Sequence, residues 1–176
     1  MREKTFFLRA YLHTWVQLVK APKLFFDAGD THSQGMPAAA FLAISSLISA
    51  GAAILTGPLS GNLVQGAILA VNGFGMALLA AGLAYPMAVP LTGHKIDFSR
   101  IFSIFAHSSG VTLLLSWNPV LVMIAEPWKW WLIWTGMRRG CGLTRGQTAV
   151  VLALTVTMII MLFRILLPLT AGGPEG

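Results

Sequence analysis

Residues 37–56 read PAAAFLAISSLISAGAAILT. The run carries no charge, and Gly57-Pro58 follows it directly. Twenty residues of helix rise about 30 Å, the thickness of a bilayer's hydrocarbon core. Pro37 suits the first helical position, where a missing N–H leaves no bond unmade. A membrane span is therefore expected here, and the composition agrees. Of 176 residues, 56% are hydrophobic and 10% charged, against about 25% charged in an average soluble domain. A soluble fold, a disordered chain and a coiled coil are all excluded by that balance. Five spans of about 20 residues would use roughly 100 residues, so one membrane domain and no separate catalytic module is expected.

Downstream, residues 63–91 are apolar, but Pro86 and Pro90 favour an earlier end, giving a span over 63–85. Gly66, Gly73, Gly75 and Gly82 lie among alanines there, a pattern that lets a second helix approach closely. The polar link TGHKIDFSR (92–100) precedes a third span over 100–116, with Asp97 placed to accept from unpaired N–H groups as N-cap. Trp117-Asn118-Pro119 should end that span. Residues 119–137, PVLVMIAEPWKWWLIWTGM, admit two readings. One helix runs from 119 with Glu126 and Lys129 inside the membrane, or an irregular surface piece precedes a short span from Pro127. Trp128, Trp130, Trp131 and Trp134 favour the second, because tryptophan collects at the membrane–water boundary. A basic loop, RRGCGLTRGQ (138–147), leads to a last span over 148–168, ended by Pro168 and Gly172-Gly173, and a short tail over 169–176.

Upstream, residues 27–36 form a polar loop. In TFFLRAYLHTWVQLVK (5–20), Arg9, His13, Gln17 and Lys20 make a polar stripe beside an apolar face of Phe7, Leu8, Tyr11, Leu12, Trp15 and Val19. This amphipathic helix either lies in the membrane interface or packs on the membrane domain. Residues 1–36 are read as a cytoplasmic segment without a cleavable signal peptide, since Arg9 interrupts the first apolar stretch.

The 12 Lys/Arg residues set an orientation. With the N-terminus cytoplasmic, segments 1–36, 92–100 and 138–147 hold ten of those twelve, and the connections 57–62 and 117–126 hold none. Lys129 and Arg164 are the exceptions, each placed near an outer boundary. Five spans then leave the C-terminus outside. The net charge of +6 thus reads as topology, and nucleic acid is not an expected partner.

The sequence holds no phosphate-binding loop, dinucleotide fingerprint or zinc-protease motif. The single Cys141 excludes an intrachain disulfide and a cysteine metal cluster. No enzyme activity, cofactor or metal is expected. His107-Ser108-Ser109-Gly110 puts polar groups inside the third span, but neighbouring helix residues diverge, so His107 and Ser108 cannot form a facing pair. Intramembrane ionisable residues mark candidate paths. His107, Glu126 and Lys129 are those candidates, with Gln65, Asn72, Ser45, Ser46 and Ser49 as possible lining.

Three pieces in order resemble one family. They are Pro22-Lys23-Leu24-Phe25-Phe26-Asp27; Gly93-His94-Lys95-Ile96-Asp97-Phe98-Ser99-Arg100 running on to His107; and Trp128 through Gly136-Met137-Arg138-Arg139 to Gly142-Leu143-Thr144-Arg145-Gly146-Gln147-Thr148-Ala149. Together they look like the YIP-domain (Ypt/Rab-interacting) proteins in their bacterial form, over roughly residues 20–168. The resemblance implies a five-helix membrane protein with a cytoplasmic N-terminus. Eukaryotic members are linked to vesicle traffic and small GTPases, but the long N-terminal tail with its acidic-aromatic motif is not found here. The expected function is non-enzymatic membrane organisation or partner scaffolding in a bacterial inner membrane. The basic residues Lys95, Arg100, Arg138, Arg139 and Arg145 would face anionic lipid or a partner, and a membrane-protein partner or a second copy could pack on the helices. A small transporter, channel or accessory subunit with a path near His107 and Glu126 is the alternative.

Overall fold

The computed structural model describes residues 2–27, 36–56, 62–93, 96–115 and 119–171. Seven helices account for nearly all of them: α1 Arg2–Lys20, α2 Pro22–Asp27, α3 Ala38–Thr56, α4 Leu63–Thr92, α5 Phe98–Leu113, α6 Pro119–Gly140 and α7 Arg145–Ala171. The protein is all-α. Among the described residues, α3, α4 and α7 are long and apolar enough to cross a membrane. The sequence reading counted five such helices. α5 has only 16 residues, and α6 carries Glu126, Lys129, Arg138 and Arg139.

The packing explains why α5 is short and polar. It lies against α3, α4 and α6 and also touches α1, while α7 lies against α4 and α6. Ten of its sixteen residues are buried. A helix enclosed by other helices has no need of lipid-compatible side chains, and its hydroxyls can bond within the protein. The small residues of α4 serve this packing. Ala77, Ala80, Ala81, Ala84 and Ala88 form its buried stripe, and a Cβ on Gly73 would sit 3.2 Å from Leu113 of α5. Gly75 and Gly82 meet nothing within 4 Å.

Three expected boundaries are corrected. α4 does not stop at residue 85; it continues through Pro86 and Pro90 to Thr92. Each proline forfeits one backbone bond, but the end of the helix is well satisfied. Gly93 adopts the left-handed conformation (φ 64°) and its N–H donates to Val89 O; Thr92 Oγ1 donates to Ala88 O at 3.0 Å; Gln147 Nε2 donates to Leu91 O at 3.1 Å. The favoured surface piece before Pro127 is also absent, since α6 is one continuous helix from Pro119. Pro119, not Pro127, takes the helix-opening position where proline costs nothing. Lys129 is therefore ten residues inside α6, about 15 Å along it, rather than near its outer end. Trp128, Trp130 and Trp134 pack against the bundle, and Trp131 points outward. Finally, α7 runs past Pro168 to Ala171.

Asp97 sits at the N-cap of α5, but its side chain makes no capping bond; its carbonyl accepts from Arg100 N and Ile101 N. Thr144 and Gln147 cap α7 reciprocally: Thr144 N donates to Gln147 Oε1 at 3.0 Å, and Gln147 N donates to Thr144 Oγ1 at 3.3 Å. Of the two readings of the N-terminal helix, burial shows contact with the bundle. Tyr11, Thr14 and Leu18 are buried, and Tyr11 Oη lies 2.9 Å from Ser45 Oγ of α3. Leu8, Leu12 and Val16 remain exposed beside Arg9, His13 and Lys20.

Candidate functional site

Polar and charged side chains collect in two places, one at each end of α5. The first is the end where α2 and the α4–α5 and α6–α7 links meet. α2 is six residues long and docks on α6. Its Phe26 is buried and packs where Gly136 and Gly140 leave room: a Cβ on Gly136 would stand 2.5 Å from Ile104 Cγ2 and 3.2 Å from the Phe26 ring. Phe25 meets the His107 ring edge-on with centroids 5.1 Å apart, and Phe41 of α3 covers the same imidazole at 5.3 Å. Asp27 accepts from Arg139 Nη1 at 3.3 Å. The three stretches that carry the family resemblance thus touch one another here: Phe25 on His107, Phe26 on Gly136, Asp27 on Arg139.

The histidine is fully enclosed, at 1% exposure. Its Nδ1 lies 2.8 Å from Ser103 O and 3.2 Å from Ser103 Oγ. A carbonyl only accepts, so Nδ1 carries the proton and cannot take one from the Ser103 hydroxyl. Nε2 meets no partner in full hydrogen-bond geometry among the described residues, although the Met36 backbone lies against the ring, and Ser108 Oγ also lacks one. Among the described residues no serine–histidine pair suited to nucleophilic chemistry is assembled. The Ser103–His107 pairing is readable as an i, i+4 helix spacing. The aromatic cover by Phe25 and Phe41 is not, because it comes from two other helices.

Around this end stand the basic residues. Arg100, Arg139 and Arg145 are exposed, Arg138 is half-buried with its Nε unpartnered among the described residues, and Lys95 lies outside the described residues. A small cleft of about 320 Å³ separates Arg100 from Cys141 and Gln147. Burial pushes the Cys141 thiol up to about 11, with Arg100 opposing the shift. The thiol is thus protonated near neutral pH. Burial likewise raises the Tyr11 phenol, partly offset by its bond to Ser45.

The second place is a cavity of about 400 Å³ between α4, α5 and α6, reached by Ile159 of α7. Glu126 and Lys129 form an ion pair at 2.6 Å on its wall, with Lys129 Nζ 5.9 Å from the Trp130 ring centre. Asn72, Ser109 and Thr112 add polar groups, while Ala77, Ala80, Phe105 and Ile133 make it apolar elsewhere. His107 does not line this cavity. Of the proposed lining residues only Asn72 does; Gln65, Ser45, Ser46 and Ser49 do not. Among the described residues no cluster of histidine, cysteine or carboxylate side chains could hold a metal ion.

A bundle of apolar helices with buried hydroxyls and a basic end defines a helical membrane protein. The chain matches the Yip1 domain family over residues 16–167 and belongs to that family, a membrane-protein family not known for enzymes. No curated protein and no solved structure matches it.

Proposed function

We infer that this is a non-enzymatic, multi-pass protein of a bacterial inner membrane that organises lipids or a partner protein through its basic end. The observation that carries the reading is the gathering of Arg100, Arg138, Arg139 and Arg145 around the α2 dock, at one end of an otherwise apolar bundle. Asp27 neutralises Arg139 there, and the other three face no ion-pair partner among the described residues. Each free arginine near a membrane surface contributes about 1 kcal/mol of attraction to anionic lipid. In this reading α3 to α7 all cross the bilayer, with α5 and α6 carried through by their neighbours. The N-terminus and the basic end are then cytoplasmic, and the C-terminus is outside. The exposed Leu8, Leu12 and Val16 of α1 rest in the interface.

The test is lipid retention by the purified full chain in detergent, read by native mass spectrometry. Phosphatidylglycerol and cardiolipin should be retained by the wild type. Replacing Arg100, Arg138 and Arg145 together by glutamine should lower that retention by about a hundredfold, at about 1 kcal/mol for each charge. Unchanged retention would remove the anionic-lipid role. In parallel, photo-crosslinking from position 145 in native membranes should give one discrete protein adduct that crosslinking from position 71 does not. The packing does not favour a transport path, because His107 is closed in by Phe25 and Phe41 and lies apart from the cavity at Glu126.

A further inference from the structure

The cavity beside Glu126 and Lys129 is the feature that basic-end function leaves unexplained. It lies in the half of the bundle away from the basic end. Glu126 is seven residues from the start of α6, Asn72 nine residues from the start of α4, and Ser109 four residues from the end of α5. Its side is left open by α7. That helix buries Thr148, Val151, Leu152 and Thr155 against the bundle, but beyond Thr155 it exposes Met158, Ile160 and Met161, and only Ile159 reaches the cavity. Glu126 is half-exposed and Lys129 about one-fifth exposed at this opening.

An ion pair in an apolar setting is a poor structural device. Hydrophobic residues of similar volume hold a fold as well or better, because two charges must be stripped of water. The buried face of the helix is made by Ala125, Leu132 and Ile133, and the pair is not part of it. The cavity therefore presents one anion, one cation and a net charge of zero, above an apolar floor, facing the bilayer sideways. Its chemical complement is a molecule that carries both charges next to each other and is attached to a hydrocarbon chain.

We propose that this cleft binds the head group of a zwitterionic phospholipid with a primary ammonium, of the phosphatidylethanolamine type. Lys129 Nζ donates to a phosphate oxygen, and the lipid ammonium donates to the Glu126 carboxylate, so the pair exchanges partners without creating an unpaired charge. The Asn72 amide and the Ser109 hydroxyl are within the same lining to donate to the ester oxygens. The first methylenes of one chain lie along Ala77, Ala80 and Ile133, and the remainder follows the exposed apolar flank of α7. An anionic lipid meets repulsion from Glu126. A choline lipid offers Glu126 no N–H to accept from.

The experiment is native mass spectrometry of the full chain in detergent, titrated separately with ethanolamine, choline and glycerol phospholipids of identical chains. With Arg100, Arg138 and Arg145 replaced by glutamine, which removes the basic-end contribution, the ethanolamine lipid should be retained most. Glu126→Gln and Lys129→Met should each lower that retention about tenfold, the loss expected for one charge-assisted bond. The double exchange, Glu126→Lys with Lys129→Glu, should recover it, since a zwitterion can turn round. Ala77→Phe, which fills the floor and leaves the pair intact, should also lower it. Melting in the same detergent identifies any variant that fails to fold, and the preference among the three lipids in the basic-end background is read without altering the cleft. Equal retention of the three lipids, loss only on replacing the basic-end arginines, or a dimer that closes the cleft instead of lipid would each overturn the proposal.

Discussion

At the scale of single residues, what decides this fold is where a side chain is missing. Gly136 lets Ile104 and Phe26 close on α6. An added methyl there would stand 2.5 Å from Ile104 Cγ2, closer than a relaxed contact, and a tight 3.2 Å from the Phe26 ring, so Ile104 or its helix must shift. Gly136→Ala should destabilise the protein by about 1–3 kcal/mol, the usual cost of overpacking a core. Gly75→Ala, placed in open space, should be neutral or slightly stabilising because alanine is the better helix former. Melting curves of the two variants in one detergent check both outcomes. Sequence alone marked Gly75 as a small residue of an apolar helix and Gly136 only as part of the element that carries the family resemblance, and it did not rank the two. The difference lies in which neighbour faces each one, and that neighbour is far away in the chain.

The elements show the same division. The run at 37–56 reads directly as α3, because twenty uncharged residues bounded by prolines carry their own limits. α4 and α6 do not, because the prolines inside them are ambiguous. A proline in a helix interior removes one bond, whereas at the first position it removes none, and whether a helix continues past an interior proline depends on what the neighbouring elements hold in place. In α4, Thr92, Gly93 and Gln147 satisfy the last carbonyls, those of Ala88, Val89 and Leu91, and so hold the end of the helix in place beyond its prolines. Gln147 has a double role, as half of the capping box of α7 and as the donor to Leu91 of α4. Gln147→Ala should therefore cost about 1–3 kcal/mol, the sum of a cap and one further hydrogen bond. Gln147→Glu keeps the capping acceptor and loses the amide donor, so it should fall between wild type and Gln147→Ala. Thermal unfolding of the three proteins measures the order.

For the whole molecule, orientation is the property with the widest consequences. Starting from Cys141→Ser, single cysteines at positions 145 and 120 should label oppositely with a membrane-impermeant maleimide in sealed right-side-out vesicles. Position 120 should react, and position 145 should react only after the vesicles are opened. The reverse pattern would place the basic end outside. Native Cys141, held protonated by a pKa of about 11, should react slowly at neutral pH in any case, because the thiolate is the nucleophile. By itself the sequence determined that this is a membrane protein, that its basic residues fall in a few short segments, and which family it resembles. Those properties follow from composition and order along the chain. Only the tertiary structure decided that the polar helix α5 is enclosed by others, that the Phe25-Phe26-Asp27 element docks on His107, Gly136 and Arg139, and that Glu126 and Lys129 share a cavity with Asn72. These are contacts between segments distant in sequence. Side-chain shape and the closing of helices around α5 select them, and no local periodicity records that choice.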